Sequence, residues 1–223
     1  ANDDVRAVVL TGAGKAFCVG ADLSDGEEGF RAGQQSRREG PRCMPYKVRK
    51  PVIAAINGHA VGVGITYPML CDIRIVSESA KIQYAMVRRG ILPELGSHVL
   101  LPRVIGFSRA ADLLLTGRLI MGTEAAEMGL ASQALPTEEV LPAAMTIARD
   151  IAENVAPVSA ALAKQLMWSG LTVGIDEMIA AEGRLLPGLI KAPDSGEGVR
   201  AFFEKRTPKW QMRVSTDVPD LGI

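Results

Sequence analysis

The residues of this chain best suited to chemistry lie in two glycine clusters. Phe17-Cys18-Val19-Gly20-Ala21-Asp22-Leu23 and Asn57-Gly58-His59-Ala60-Val61-Gly62-Val63-Gly64 each bring glycines beside the end of a strand-like run, where backbone can approach a ligand unobstructed. If the apolar run Val63–Leu70 starts a helix at those glycines, the Val63 N–H is one of the unpaired donors at its N-terminus, where the macrodipole favours negative charge. Joined by an N–H from the Gly20-Ala21 turn, it would stabilise an enolate oxygen developing from a carbonyl. Close helix–strand packing alone would also call for these glycines, and spacing by itself leaves both readings open.

Other polar positions carry less. Thr11-Gly12-Ala13-Gly14-Lys15 follows a strand but fails as a phosphate loop, because Gly12 and Gly14 are too close and Ala16 follows Lys15. Cys18 and Val19 break the dinucleotide fingerprint before Gly20, so a tight turn with a solvated lysine is expected. His59 and His98 are the only histidines, and His59 beside Gly58 is read as shaping its loop. The three cysteines, Cys18, Cys43 and Cys71, lack a CxxC pair and are odd in number, against a disulfide framework or a zinc site. No metal is expected, and a reducing, cytoplasmic setting fits best.

The clusters need elements to hold them. Val5–Leu10 and Val52–Ile56 are β-branched runs stopped by turns, and Asp72–Val76 and Lys81–Gln83 read as short strands. Ser24 to Cys43 is rich in Gly, Glu, Arg, Gln and Ser, which predicts a solvated loop or lid. Helical spacing appears over Ser97–Ile105, Ser108–Leu115 and Thr123–Met128. Longer amphipathic segments follow at Thr137–Asn154, Pro157–Trp168, Ile175–Ile190 and Asp194–Arg206, the last with Asp194 or Ser195 placed to cap it. A mixed α/β front and a helical back put a boundary near Ala156-Pro157, dividing the chain into 1–156 and 157–223. Helices with wide apolar faces and no sheet to cover them predict a homo-oligomer.

Composition sets the outer limits. With 223 residues, 48% of them hydrophobic, the chain can bury a substantial core. Twenty-five Lys+Arg balance twenty-five Asp+Glu, so no global field favours nucleic acid or a membrane surface. The uncharged stretch Pro51–Cys71 is long enough to span a bilayer, but Asn57, Gly58, His59, Gly62, Gly64 and Pro68 interrupt it, and no membrane segment is expected. The start of the chain has no basic region followed by an apolar core, so it does not read as an export signal.

Longer stretches carry a resemblance. Residues 5–23 (VRAVVLTGAGKAFCVGADL), 50–64 (KPVIAAINGHAVGVG), 71–75 (CDIRI), 90–97 (GILPELGS), 116–118 (TGR), 125–130 (AAEMGL) and 197–206 (EGVRAFFEKR) fall in order over nearly the whole chain. With them the chain resembles the crotonase, or enoyl-CoA hydratase/isomerase, superfamily. The resemblance implies an α/β fold, a spiral of ββα units followed by a C-terminal helical trimerisation region, and trimers that can pair into hexamers. It also implies a further strand and helix before Val5 that this sequence lacks.

Carried over residue by residue, the resemblance implies oxyanion-hole N–H groups at Ala21 and Val63, with Asp22 bracing the first turn and Leu23 beside it. It implies an acyl-coenzyme A substrate, the coenzyme being part of the substrate and no separate cofactor. A hydratase of this family uses two glutamates, and their positions here are Thr66 and Met86, neither of which titrates. Glu94 falls where several isomerases keep their carboxylate. It would act as the base for moving a double bond, an apolar surround of Ile91, Leu92 and Leu95 raising its pKa. The expected activity is therefore 3-enoyl to 2-enoyl isomerisation, with hydration of a 2-enoyl-CoA and non-catalytic acyl-CoA binding as the alternatives. Tyr84 and Met86 are read as acyl-pocket or core residues, and Lys205 and Arg206 as groups that a neighbouring subunit could bring to the coenzyme.

Overall fold

The computed structural model describes residues 2–22, 26 and 43–222. Its strands are β1 (Val8–Thr11), β2 (Ala16–Cys18), β3 (Val52–Ile56), β4 (His59–Val61), β5 (Ile73–Ser77), β6 (Lys81–Gln83), β7 (Leu119–Met121) and β8 (Gln133–Leu135). Every residue of β3 is buried, as its unbroken Val-Ile-Ala-Ala-Ile run demands of a parallel strand covered on both faces. β3 pairs in parallel with β5, and β5 with β8, in a sheet of order β1-β3-β5-β8. The second sheet has the order β2-β4-β6-β7, parallel except at its β7 edge.

The chain deals its first six strands to the two sheets in turn, which is the α/β spiral of ββα units that the resemblance implies. Helices α1 (Val63–Thr66), α2 (Ser97–Ile105), α3 (Phe107–Thr116) and α4 (Gly122–Glu127) lie between the strands. Together with both sheets, nearly entire, they make up one compact unit of residues 9–45 and 53–144. Its core includes Ile53, Ile56, Ile65, Ile75, Ile82, Leu101 and Leu113. Tyr84 belongs to this core too; its hydroxyl has no hydrogen-bond partner among the described residues, and burial pushes the phenol's pKa up.

The other unit comprises residues 2–8, 46–52 and 145–222. After α5 (Thr137–Asn154), it contains α6 (Pro157–Ser169), α7 (Ile175–Lys191) and α8 (Pro193–Glu204). Lys164, 5% exposed, donates to the Lys50 carbonyl at 3.0 Å, and Arg6 donates to the Val155 carbonyl at 2.9 Å. Pro157 and Pro193 open α6 and α8 at a position where a missing N–H costs nothing.

Three local expectations need correction. The first strand starts at Val8, three residues later than the β-branched run suggested. Asp194 is not a helix cap: α8 is preceded by Ala192, and the buried Asp194 carboxylate instead accepts the Gln211 N–H at 2.7 Å and the Met212 N–H. The apolar run Val63–Leu70 is not one helix either. α1 stops at Thr66 and a 3-10 turn covers Pro68–Leu70, because Pro68 supplies no N–H to continue an α-helix. The stretch from Ser24 to Cys43 read as a lid lies outside the described residues, apart from Gly26 and Cys43.

Candidate functional site

β2 and β4 are parallel neighbours, with Ala16 opposite His59 and Cys18 opposite Ala60. Their C-terminal ends therefore deliver Val19-Gly20-Ala21 and Gly62-Val63 to the same edge, where ligands of open parallel sheets gather. The approach is closer than side chains permit. A Cβ on Gly20 would stand 3.0 Å from the Val61 carbonyl oxygen, and one on Gly64 only 1.9 Å from that of Cys18. Gly62, at φ 61° and ψ −126°, holds a conformation open essentially to glycine and donates its N–H to the Gln83 carbonyl at 3.0 Å.

Val63 is the first residue of α1, and its N–H meets no acceptor among the described residues; neither does that of Ala21. With only four residues in α1, the macrodipole anticipated from a longer helix adds little at the Val63 amide. Both residues line a cleft of about 910 Å³.

Glu94 lines the same cleft and is the only carboxylate among its described lining residues. It sits in the loop between a 3-10 helix (Ala85–Arg89) and α2, and two groups fix it. The buried Ser97 hydroxyl donates to the Glu94 carbonyl at 2.6 Å, and the Thr66 hydroxyl donates to the carboxylate oxygen Oε1 at 2.9 Å. Leu95, next in the chain, has φ 57°, a left-handed conformation costing of order 1 kcal/mol that this clamp sustains. The apolar surround expected of Glu94 does not form. Glu94 is exposed, as are Ile91 at 38% and Leu92 at 76%, and all three line the cleft instead of joining the core.

Asp22 is exposed, and Leu23 lies outside the described residues. Lys205 ends α8 in a left-handed conformation, φ 52°, within the helical unit. Met86 lines the cleft, whereas Tyr84 is core. Nδ1 of His59 accepts the Lys81 N–H at 3.1 Å, tying β4 to β6. The Gly12–Gly14 turn is used internally: Asn57 accepts the Gly12 N–H and donates to the Gly14 carbonyl, both at 3.0 Å. Among the described residues, no group of three or more His, Cys, Asp or Glu could hold a metal ion.

Sequence reasoning passed over Tyr67 and Arg89, which also line the cleft. Tyr67 lies one helical turn past Val63, a spacing that puts both on one face, and its hydroxyl donates to the Cys43 carbonyl at 2.6 Å. Partial burial raises its pKa. Arg89 lies three residues past Met86, and in a 3-10 helix that interval makes side chains eclipse.

Comparison with known proteins agrees with this geometry. The family model for enoyl-CoA hydratase/isomerase matches residues 1–213. The enoyl-CoA hydratase ACTT3 of Alternaria alternata is 39% identical over 95% of this chain and 72% of its own length. A putative enoyl-CoA hydratase of Thermus thermophilus is 38% identical over 94% of this chain and 85% of its own. The crystal structure of a probable enoyl-CoA hydratase/isomerase from Mycobacterium abscessus superposes with a TM-score of 0.85 at 40% identity, covering 93% of this chain and 82% of that one. With its two-sheet spiral, its converging glycine turns and these relatives, the chain belongs to the enoyl-CoA hydratase/isomerase family of enzymes, the crotonase superfamily.

Proposed function

We propose that the chain acts on enoyl-CoA thioesters, and that its main reaction is isomerisation of a 3-enoyl to a 2-enoyl thioester. In this reading the thioester oxygen accepts hydrogen bonds from the Ala21 and Val63 N–H groups. The Glu94 carboxylate takes a proton from C2, the electron pair passes through a dienolate held by the two amides, and the same carboxyl returns the proton at C4. One base suffices, since nothing is added and nothing leaves. The observation carrying the proposal is that Glu94 is the cleft's one carboxylate among the described lining residues, while the buried Thr66 supports it.

The coenzyme enters as part of the substrate, so no separate cofactor is proposed, and Asp22, Leu23 and Lys205 are assigned to its binding. We further assign residues 157–223 to assembly of a homotrimer, or a hexamer of paired trimers, because α7 and α8 leave large apolar side chains exposed. A cytoplasmic location fits three cysteines at widely spaced positions with no CxxC pair, Cys18, Cys43 and Cys71. Among the described residues, no helix is long and apolar enough to cross a membrane.

The test follows conjugated-thioester absorbance with a 3-enoyl-CoA and with crotonyl-CoA. Absorbance should rise with the former, and E94Q should slow that rise by roughly a hundredfold or more. Hydration is the second reading, favoured by the names of the relatives; turnover of crotonyl-CoA alone, undiminished in E94Q, would establish it instead.

A further inference from the structure

The cleft wall is apolar, with Val19, Met44, Val61, Met86, Ile91 and Leu92 contributing, except for two charges among its described residues: Glu94 and Arg89. Arg89 has no role in the isomerisation, yet the backbone commits it to the cleft. Met86 and Arg89 stand three apart in the 3-10 helix, so their side chains eclipse and their Cα atoms are about 6 Å apart along the axis. The preceding arginine is spent elsewhere, Arg88 Nε donating to the Thr116 carbonyl at 2.7 Å. Arg89, by contrast, makes one long contact among the described residues, Nη1 to the Ala85 carbonyl at 3.3 Å, and pairs with neither Glu94 nor any other described carboxylate.

A hydrocarbon tail laid along this wall would strip water from the guanidinium and return nothing. A tail ending in a carboxylate would satisfy the planar fork with charge-assisted hydrogen bonds. Glu94 adds orientation, because it repels that carboxylate from the end of the cleft where the thioester reacts. We propose that Arg89 reads a second carboxylate on the acyl chain, making the substrates enoyl-CoA thioesters of dicarboxylic acids. This rests on the acyl-CoA reading of the cleft given above, and adds to it the class of acyl group.

The test measures binding apart from turnover. Calorimetry compares adipoyl-CoA with hexanoyl-CoA, matched in length and unable to isomerise, and kinetics compare 3-hexenedioyl-CoA with 3-hexenoyl-CoA. The diacid thioester should bind about tenfold more tightly, in line with a partly exposed charge-assisted pair, and the preference should shrink as salt is raised. R89M should bring the ratio to about one, and R89K should keep part of it. No preference in the unaltered protein, or an R89M variant that weakens both thioesters equally and so assigns Arg89 to the coenzyme phosphates, would overturn the inference. A salt-sensitive, Arg89-dependent preference with no turnover of either 3-enoyl thioester would sink the isomerase reading while leaving this one standing.

Discussion

The Thr66 hydroxyl donates a 2.9 Å hydrogen bond to Oε1 of Glu94. Thr66 is fully buried at the end of α1, the helix that starts with the Val63 amide, so one side chain links that helix to the carboxylate of the cleft. At a position where the resemblance places a hydratase's glutamate, this chain has a hydroxyl that holds the Glu94 carboxylate instead. T66V keeps the shape and removes the donor. It should lower turnover of a 3-enoyl-CoA about tenfold through loss of positioning, with KM little changed. T66S should recover most of the rate, and an unchanged rate in T66V would show that Ser97 positions Glu94 alone.

Gly64 tests the convergence of the two amides. A Cβ there would meet the Cys18 carbonyl oxygen at 1.9 Å and its carbon at 2.7 Å, both backbone atoms that cannot step aside. G64A should therefore push β2 from β4, costing about 3 kcal/mol, or a melting temperature lower by roughly 6–12 °C, and should abolish activity. The control is G14A, which meets nothing within 4 Å and bears only the strain of φ 79°, about 1 kcal/mol. Equal melting losses in the two variants would mean that backbone strain, not the close approach, makes glycine necessary at 64.

Much of this arrangement was legible in the residues, for reasons that can be named. The long periodic segments were, because Ser97–Ile105 and Thr137–Asn154 carry enough turns for their pattern to stand out, and β3 is a continuous apolar run. Of the five three-residue strands among the described residues only β6 was, at Lys81–Gln83; β2, β4, β7 and β8 were not, since so short a run barely displays an alternation and pairing with neighbours makes them strands. That Val19–Ala21 and Gly62-Val63 reach one cleft was readable because glycines flag close backbone approach, while the choice of Ala21, Val63 and Glu94 as candidates came through the resemblance. The Thr66 bond, the exposure of Glu94 and the partnering of Asp194 with Gln211 could not, because each depends on where a distant segment returns.

Glu197 gives the protein an acid-sensitive fastening. A bidentate pair with Arg206, at 2.6 and 3.1 Å, and the Lys209 N–H at 2.7 Å hold its carboxyl down to about 2, against an ordinary glutamate value of 4.5. A depressed folded pKa stabilises the fold fully above 4.5, and this contribution disappears as pH falls toward 2. E197Q should melt at a lower temperature than the parent at pH 7. The gap should hold down to about pH 4.5 and close on further acidification. Melting curves that stay parallel across that window would assign the loss to packing instead of charge.

α7 carries two apolar faces. Met178, Ala181, Leu185 and Leu189 are buried or half-buried, as their 3–4 spacing predicts for a helix packed within its own unit. Ile175, Ile179, Leu186 and Ile190 fall within about 60° of one another at 100° per residue, and are 77%, 59%, 56% and 62% exposed. Four large aliphatic side chains in one stripe, with Phe202 and Phe203 each 77% exposed on α8, exceed the scattered apolar exposure normal on a monomer. If another copy covers the stripe, a lysine at its centre buries an unpaired charge on assembly, which costs more than the contact returns. I179K should therefore shift the mass measured by light scattering from a trimer or hexamer to a monomer, while helical circular dichroism is retained. A parent protein that is already monomeric at micromolar concentration would remove the assembly reading of α7.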